Sequence, residues 1–392
     1  MKNNWPVKKL GEVADYFNDG NWIESEDQSA DGIRLVQTGN IGLGHFKDRD
    51  DKARFISEET FKKLRCTEIF EGDILISRLP DPVGRSCILP KLDTRAVTAV
   101  DCTIVRFPNE LLAKYFNYHS LTDNYFREVG RYLTGASRVR ISRTNLSKVN
   151  IILPPENIQK KIVERLDAIR RAQELCDAQI SKTEELFKSV LNQELNKLSQ
   201  LRKKPLLEFC EQITDGVHNT PPLVKEGIPM LDSVDIQDMQ INSENPRKFI
   251  SKETDAELAR RCKPQKNDVL ISSRGTIGKI AIVGDQDFNI MGNIILIRPK
   301  LGELNTVYLA NYLIVNRENI LRLSRATSQS GLYLTDVRNL EVEIPSSKEQ
   351  QKIVEKLSAV QDYKKLLLKQ KSLYKELFDS VLDKCMKGEL DA

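Results

Sequence analysis

Two sets of short polar stretches carry the side chains with most chemistry to offer. The earlier set holds Asn18 and Asn21, then Gln37, Thr38 and Asn40, then Arg78 and Arg85, then Thr134, Ser137, Arg138 and Arg140. The later set holds Thr214, Asp215, His218, Asn219 and Thr220, then Ser233, then Ser273, Arg274 and Lys279, then Ser328, Gln329 and Tyr333. Arg, Asn and Gln present the paired donors and acceptors that read base edges, whereas Ser, Thr, Lys and glycine-exposed amides hold phosphate. Taken singly, each stretch is also ordinary turn chemistry: Asp-Gly at 19–20 and 215–216 reads as a turn, and Arg78 and Arg274 read as partners in ion pairs within a domain. The feature that favours a reading surface is contrast, because hydrophobic frames recur along the chain while the loops between them change identity.

Catalytic chemistry has much weaker support. A phosphate-binding GxxxxGK[ST] loop is missing, and Gly275-Thr276-Ile277-Gly278-Lys279 is too short to form one. Asn219-Thr220-Pro221-Pro222-Leu223 departs from the Asp/Asn-Pro-Pro-aromatic pattern of adenine methyltransferases, with an inserted threonine and no ring to stack a flipped base. No glycine-rich cofactor fingerprint follows a strand and opens a helix. The seven cysteines are scattered without a CxxC pair and only three histidines are available to join them, so at that spacing no structural zinc site is expected. His218 is the one histidine in a polar loop, with no nucleophile beside it.

The elements that must hold these loops are written twice. Arg54-Phe55-Ile56-Ser57-Glu58-Glu59-Thr60 returns as Lys248-Phe249-Ile250-Ser251-Lys252-Glu253-Thr254, and Gly72-Asp73-Ile74-Leu75-Ile76-Ser77-Arg78 returns as Asn267-Asp268-Val269-Leu270-Ile271-Ser272-Ser273-Arg274. Pro6–Val13 and Gly32–Leu35 are echoed in turn by Pro205–Gln212 and Gly227–Met230. A tandem duplication of one globular-plus-helix unit accounts for all of these. The globular part reads as mixed α/β, with short strands at 73–77, 102–107, 268–272 and 293–298 and short helices at 60–64 and 254–261. Val149–Pro155 and Leu340–Pro345 each read as a strand stopped by proline, suited to the entry of a long helix.

Those long helices span 156–197 and 347–388. In the first, Ile162, Leu166, Ile169, Gln173, Cys176, Ile180, Thr183, Phe187 and Val190 alternate four- and three-residue spacings. Ile353, Leu357, Val360, Lys364, Leu367, Lys371, Tyr374, Phe378 and Val381 repeat the seam at an offset of 191 residues (Ile162 to Ile353). A heptad seam asks for a partner helix, and the other copy is the obvious one. Compact segments separate the two copies, so antiparallel pairing with approximate two-fold symmetry is expected. About 40 residues of helix extend roughly 60 Å, which suits a spacer. Gln173, Lys364 and Lys371 interrupt the seam and are expected to fix its register.

The fold expected is therefore α+β: globular domains over 1–155 and 199–346, with the first long-helix segment over 156–198 and the second long helix and tail over 347–392. The 392 residues suit two or three globular units, and 30% charged residues fit long solvated helices. A net charge of +4 permits a nucleic-acid partner without demanding one. Neither a signal-type apolar segment nor a run of 18 apolar residues is present, so no membrane association is expected and the location expected is cytoplasmic.

Taken together, the duplicated units, the TDGVHNTPP stretch at 214–222, the DILISR and DVLISSR strands, and the PPENIQKKIVERLD and PSSKEQQKIVEKL helix starts resemble the specificity subunit of type I restriction-modification systems. The first copy departs from that pattern at Asn18–Trp22. The resemblance implies a non-catalytic subunit with two target-recognition domains, each binding one half of a bipartite double-stranded DNA site. It implies two DNA methyltransferase (modification) subunits and restriction/translocase subunits as partners. S-adenosylmethionine, ATP and Mg are then expected in those partners, with no cofactor or metal in this chain. The rival expectations are a coiled-coil scaffold that binds protein and a stand-alone DNA methyltransferase.

Overall fold

The structure, a computed structural model, describes residues 5–135, 139–198, 203–243, 246–325 and 331–389. Its contacts divide the chain into two units, one comprising Met1–Cys176 with Gln370–Ala392 and the other Asp177–Lys369.

Each unit is built on a four-stranded antiparallel sheet with the same strand order. In the first, Tyr16–Asp19, Cys102–Arg106, Ile74–Ser77 and Ser86–Ile88 lie side by side, with Leu75 opposite Ile104. In the second, Cys210–Asp215, Ile294–Pro299, Val269–Ser272 and Ile280–Ile282 do the same, with Leu270 opposite Leu296. The β-branched runs suit strands, and their period of two sorts side chains onto opposite faces. Ile74 and Ile76 face a core with Phe116 and Tyr125, whereas Leu75 packs with Val36, Cys87 and Ile104. Val269 and Ile271 likewise join Tyr308 and Leu313, whereas Leu270 packs with Leu231, Phe288 and Ile290. Both faces are covered, which is why these strands read as unbroken apolar runs. Each such side chain contributes about 2 kcal/mol by burial.

A further sheet lies against each of these. In the first unit it is five-stranded, with Ile33–Val36 parallel to Ala96–Thr98. In the second it is three-stranded, with Ile228–Leu231 parallel to Asn289–Ile290. Val7–Lys9 pairs with Asn150–Ile152, and Lys203–Pro205 with Glu341–Glu343, so each globular part is closed by its own two ends.

The long helices run Glu156–Asn196 and Ser347–Lys387. Each is anchored at its start by the same device: Gln159 donates to the Pro154 carbonyl and Gln350 to the Pro345 carbonyl, both at 2.8 Å. In the first unit the beginning of one helix meets the end of the other, with Ile162, Val163 and Leu166 in one cluster with Leu382, Cys385 and Met386. In the second, Phe187, Leu191 and Leu195 share a core with Ile353 and Leu357. Within each unit the pairing is antiparallel, as expected for the duplicated seam. Lys364 sits at the rim of the pairing, 2.7 Å from Glu184, and Lys356 donates to Glu194 at the same distance.

Candidate nucleic-acid interface

The Asp-Gly stretches turn out to be backbone crossings. A Cβ on Gly20 would lie 2.2 Å from the Thr98 carbonyl oxygen, and one on Gly216 would lie 2.1 Å from that of Ile290. The next residues, Asn21 and Val217, form parallel bridges to Ala99 and Met291. Only glycine lets the chain leave the four-stranded sheet and pass this close to the second one. Asn18–Asn21 thus has the same geometry as Thr214–Val217 despite its divergent letters.

Beside each crossing stands a tight hairpin. In the first unit the Lys47 amide donates to the Asn40 carbonyl at 2.7 Å, and Asn40 Oδ1 accepts from the Gln37 amide at 3.0 Å. In the second, the Asn242 amide donates to the Asp235 carbonyl and Asp235 Oδ2 accepts from the Asp232 amide, both at 2.9 Å. Gln37–Asn40 and Asp232–Asp235 therefore occupy one structural place.

The third shared piece fixes an equivalence that sequence comparison misplaces. The Arg78 amide donates to the Asp101 carbonyl and its carbonyl accepts from Ile141; the Ser273 amide donates to the Asn293 carbonyl and its carbonyl accepts from Leu332. Arg78 is thus the counterpart of Ser273, and Arg274 is the next residue along, exposed on its turn. Ile141 is likewise the counterpart of Leu332, so Arg140 corresponds to Gly331 rather than to Tyr333.

These bonds divide the polar residues read from the sequence. Arg85 is 7% exposed and donates to four carbonyls, those of Ile41 at 2.9 Å, Leu79 at 2.7 Å, Pro82 at 3.1 Å and Thr38 at 2.9 Å, so it binds the hairpin to the next turn. Arg78 donates to the Val100 carbonyl at 2.7 Å and lies 3.3 Å from Asp19. Burial pushes the Asp19 carboxyl above its ordinary value, opposed by the Thr103 hydroxyl and by Arg78 and Arg143. Asn40 donates to the Lys47 carbonyl, Asn21 accepts from the Thr67 amide, and Asn18 accepts from Arg143. Asp215 is buried between His218 at 2.8 Å and Arg261 at 2.6 Å. Ser233 and Ser273 are buried, Thr214 is half-buried, and Lys279 is 3.7 Å from Asp238. All of these hold the loops in shape.

The residues left facing outward form the candidate surface. In the second unit His218, Asn219, Thr220, Arg274 and Tyr333 are exposed. A Cβ on Gly292 would lie 2.5 Å from His218 Nδ1, one on Gly275 would lie 3.3 Å from Ser233 Oγ, and one on Gly331 would lie 3.8 Å from the Arg274 side chain. The loops carrying them are therefore contiguous. In the first unit Gln37 and Thr38 are half-buried, while Thr134 and Arg140 are exposed and joined to each other by reciprocal 2.9 Å backbone bonds. Ser137, Arg138, Ser328 and Gln329 lie outside the described residues.

Three side chains absent from the sequence reading join this surface. Trp22 is 69% exposed beside the Gly20 crossing. The Arg49 guanidinium lies over Gly39, where a Cβ would come within 2.6 Å. Asn293 donates to Ser233 Oγ at 3.1 Å and leaves its own Oδ1 buried with no partner among the described residues. Trp22 had a legible signal, a large ring within a polar loop; Asn293 had none, because it opens an apolar strand. Among the described residues no cluster of His, Cys, Asp and Glu is arranged to hold a metal ion, and no helix is long and apolar enough to cross a membrane.

Comparison with known proteins places these features. The family model described as the type I restriction modification DNA specificity domain matches twice, over residues 2–185 and 188–373. The type I restriction enzyme EcoBI specificity subunit of Escherichia coli is 27% identical over 316 residues, covering 71% of this chain and 66% of that protein. The type I restriction enzyme MjaVIII specificity subunit of Methanocaldococcus jannaschii is 25% identical over 196 residues, covering 49% of this chain and 45% of that protein. In both cases the chain spans less than two-thirds of the relative's length. A chain from a solved type I restriction-modification system shares the fold with a TM-score of 0.65 and 19% identity, over 98% of both chains.

Proposed function

The chain belongs to the type I restriction-modification DNA specificity family, and from that premise we propose that it reads a bipartite double-stranded DNA site, one half with each unit. The observation that carries this reading is the twice-built surface: crossing, hairpin and turn recur with the same hydrogen bonds, while the side chains they present differ. Gln37 stands where Asp232 does, and Arg78 where Ser273 does. Two readers on one scaffold with different letters recognise different half-sites.

The proposed contact set in the first unit is Gln37, Thr38, Thr134 and Arg140, joined by Arg49 and Trp22. In the second it is His218, Asn219, Thr220, Arg274 and Tyr333, joined by Asn293. Ser137, Arg138, Ser328 and Gln329 belong to the same proposed loops. Arg274 and Arg140 suit guanine edges or phosphate, and Asn and Gln suit adenine. The buried set, including Arg85, Asn40 and Asp215, would act by keeping these loops rigid.

Chemistry on the DNA then falls to partners. A methyltransferase subunit would bring S-adenosylmethionine and flip the target base out of the duplex. A restriction subunit would bring ATP and Mg. The paired long helices offer a docking post for the modification subunits, and the whole would work on DNA in the cytoplasm.

Binding to duplex DNA across a salt series tests the reading. Phosphate contacts release counterions, so affinity should fall steeply and linearly on a log–log plot. A flat salt response would favour a scaffold that binds only protein. Purified chain with S-adenosylmethionine and DNA should transfer no methyl group until a modification subunit is added; transfer by the chain alone would make it a methyltransferase instead.

A further inference from the structure

The two reading hairpins are tied down by different parts of their units. In the first unit the tip of hairpin 37–47 is Gly44, whose φ of +71° favours glycine and whose amide donates to the Ser86 carbonyl at 2.8 Å. Its carbonyl accepts two side-chain bonds, one from buried Asn117 Nδ2 and one from Arg170 Nη1, both at 3.0 Å. Arg170 belongs to the long helix Glu156–Asn196. Its guanidinium lies over two rings, 4.6 Å from the Tyr118 centroid and 5.4 Å from that of Phe378, and Phe378 is on the other long helix. The two rings, 6.0 Å apart, both contact the guanidinium and restrict its direction, leaving the fork aimed at the hairpin tip.

The second unit repeats the frame without this link. Met239 holds the place of Gly44, at φ +60°, with its amide donating to the Ile280 carbonyl at 2.8 Å. Gln361 stands where Arg170 does at the 191-residue offset of the long helices, and Asn311 is a buried asparagine of the helix Thr306–Val315 that faces it. Gln361 Nε2 donates to Asn311 Oδ1 at 3.0 Å, and neither is bonded to hairpin 232–242 among the described residues. That hairpin is held instead through Asp238, which pairs with Arg317 at the start of the short helix Arg317–Arg325. Arg317 also donates to the Gly278 carbonyl at 2.8 Å.

We propose that Arg170 is a positioning residue for specificity: it makes the presentation of hairpin 37–47 depend on the long helix, whereas hairpin 232–242 is set within its own globular part by Arg317. A change of direction in the long helix at Arg170 is thereby felt at the Gly44 carbonyl, and from there along a hairpin whose other side is bound by Arg85. This inference rests on the reading that the two hairpins face separate half-sites.

The test measures binding of the full chain, assembled with its modification subunit, to duplexes carrying single-base changes in one half-site or the other. Arg170→Ala should lower discrimination in the first unit's half on the order of tenfold, the effect of losing one charged hydrogen bond, and leave the other half within about twofold. Arg170→Lys should restore part of it. Gln361→Ala should change neither half, and Arg317→Ala the second half only. Should Arg170→Ala impair folding, Gly44→Ala disturbs the same contact from the loop side, because its Cβ would lie 2.7 Å from Arg170 Nη2. Parallel weakening of matched and mismatched DNA, or equal loss in both halves, would overturn the positioning role. So would unchanged discrimination in Arg170→Ala. If the unaltered chain itself shows no discrimination, the reading of two half-sites fails first.

Discussion

Arg106 and Arg298 make the same forked contact in the two units, and they show what the polar residues of this chain mostly do. Arg106 Nε and Nη2 reach Asp73 at 2.9 and 3.1 Å, and Arg298 Nε and Nη2 reach Asp268 at 2.8 and 2.7 Å. Each aspartate also accepts from a backbone amide three residues earlier, Phe70 or Gln265. Removing one partner strands the other in a site of low solvation, so Asp268→Ala should cost about 3–5 kcal/mol in a denaturant titration. Glu184→Ala, which breaks the rim pair with Lys364, should cost less than about 1 kcal/mol. His119 gives a pH dependence of known sign. It is fully buried against Tyr115 and Tyr125, and burial pushes its pKa down to about 4 from an ordinary 6.5. The unfolded chain therefore takes up a proton that the folded one refuses between those values. Stability should fall as pH drops from about 6.5 toward 4, by at most about 3 kcal/mol. His119→Phe should remove that component of the slope between pH 7.5 and 5.

At the scale of elements, the long helices are the part that sequence alone reads best. The seam positions Ile162, Leu166, Cys176, Thr183 and Phe187 are buried, as are Ile353, Leu357 and Leu367. Leu166→Ala and Leu357→Ala, each at a side chain with no exposure, should each cost about 2–5 kcal/mol in thermal or denaturant unfolding. The strands were legible for the same reason: Ile74–Ser77 and Val269–Ser272 are apolar on both faces and have no other place to go. The loops were legible only in outline. Arg78, Arg85 and Asn40 are of the types that bind DNA, and the structure engages them on backbone carbonyls instead, because a sheet that ends in long loops leaves many acceptors to satisfy. A side chain's type says what it can bond; only the fold says whether that bond is already made. Gly20 and Gly216 show the converse, since a dipeptide that looks like a turn is a close crossing of two chain segments.

For the molecule as a whole, duplication is the central fact. One frame has been kept twice, and its exposed residues have diverged. If the helices act as a spacer, deleting seven residues from each, at matched seam positions, shortens each by about 10 Å, close to three base pairs. The unread spacer of the methylated site should shrink accordingly, and an unchanged spacer would set the helix-length account aside. The most direct measurement is sequencing that reports modified bases, applied to DNA methylated by the assembled complex. The complex carrying the unaltered chain is compared with one in which Arg274 and Asn293 are both replaced by alanine. A bipartite motif that changes in one half only is the predicted result. A single uninterrupted motif, or a change in both halves at once, would contradict two independent readers in one chain.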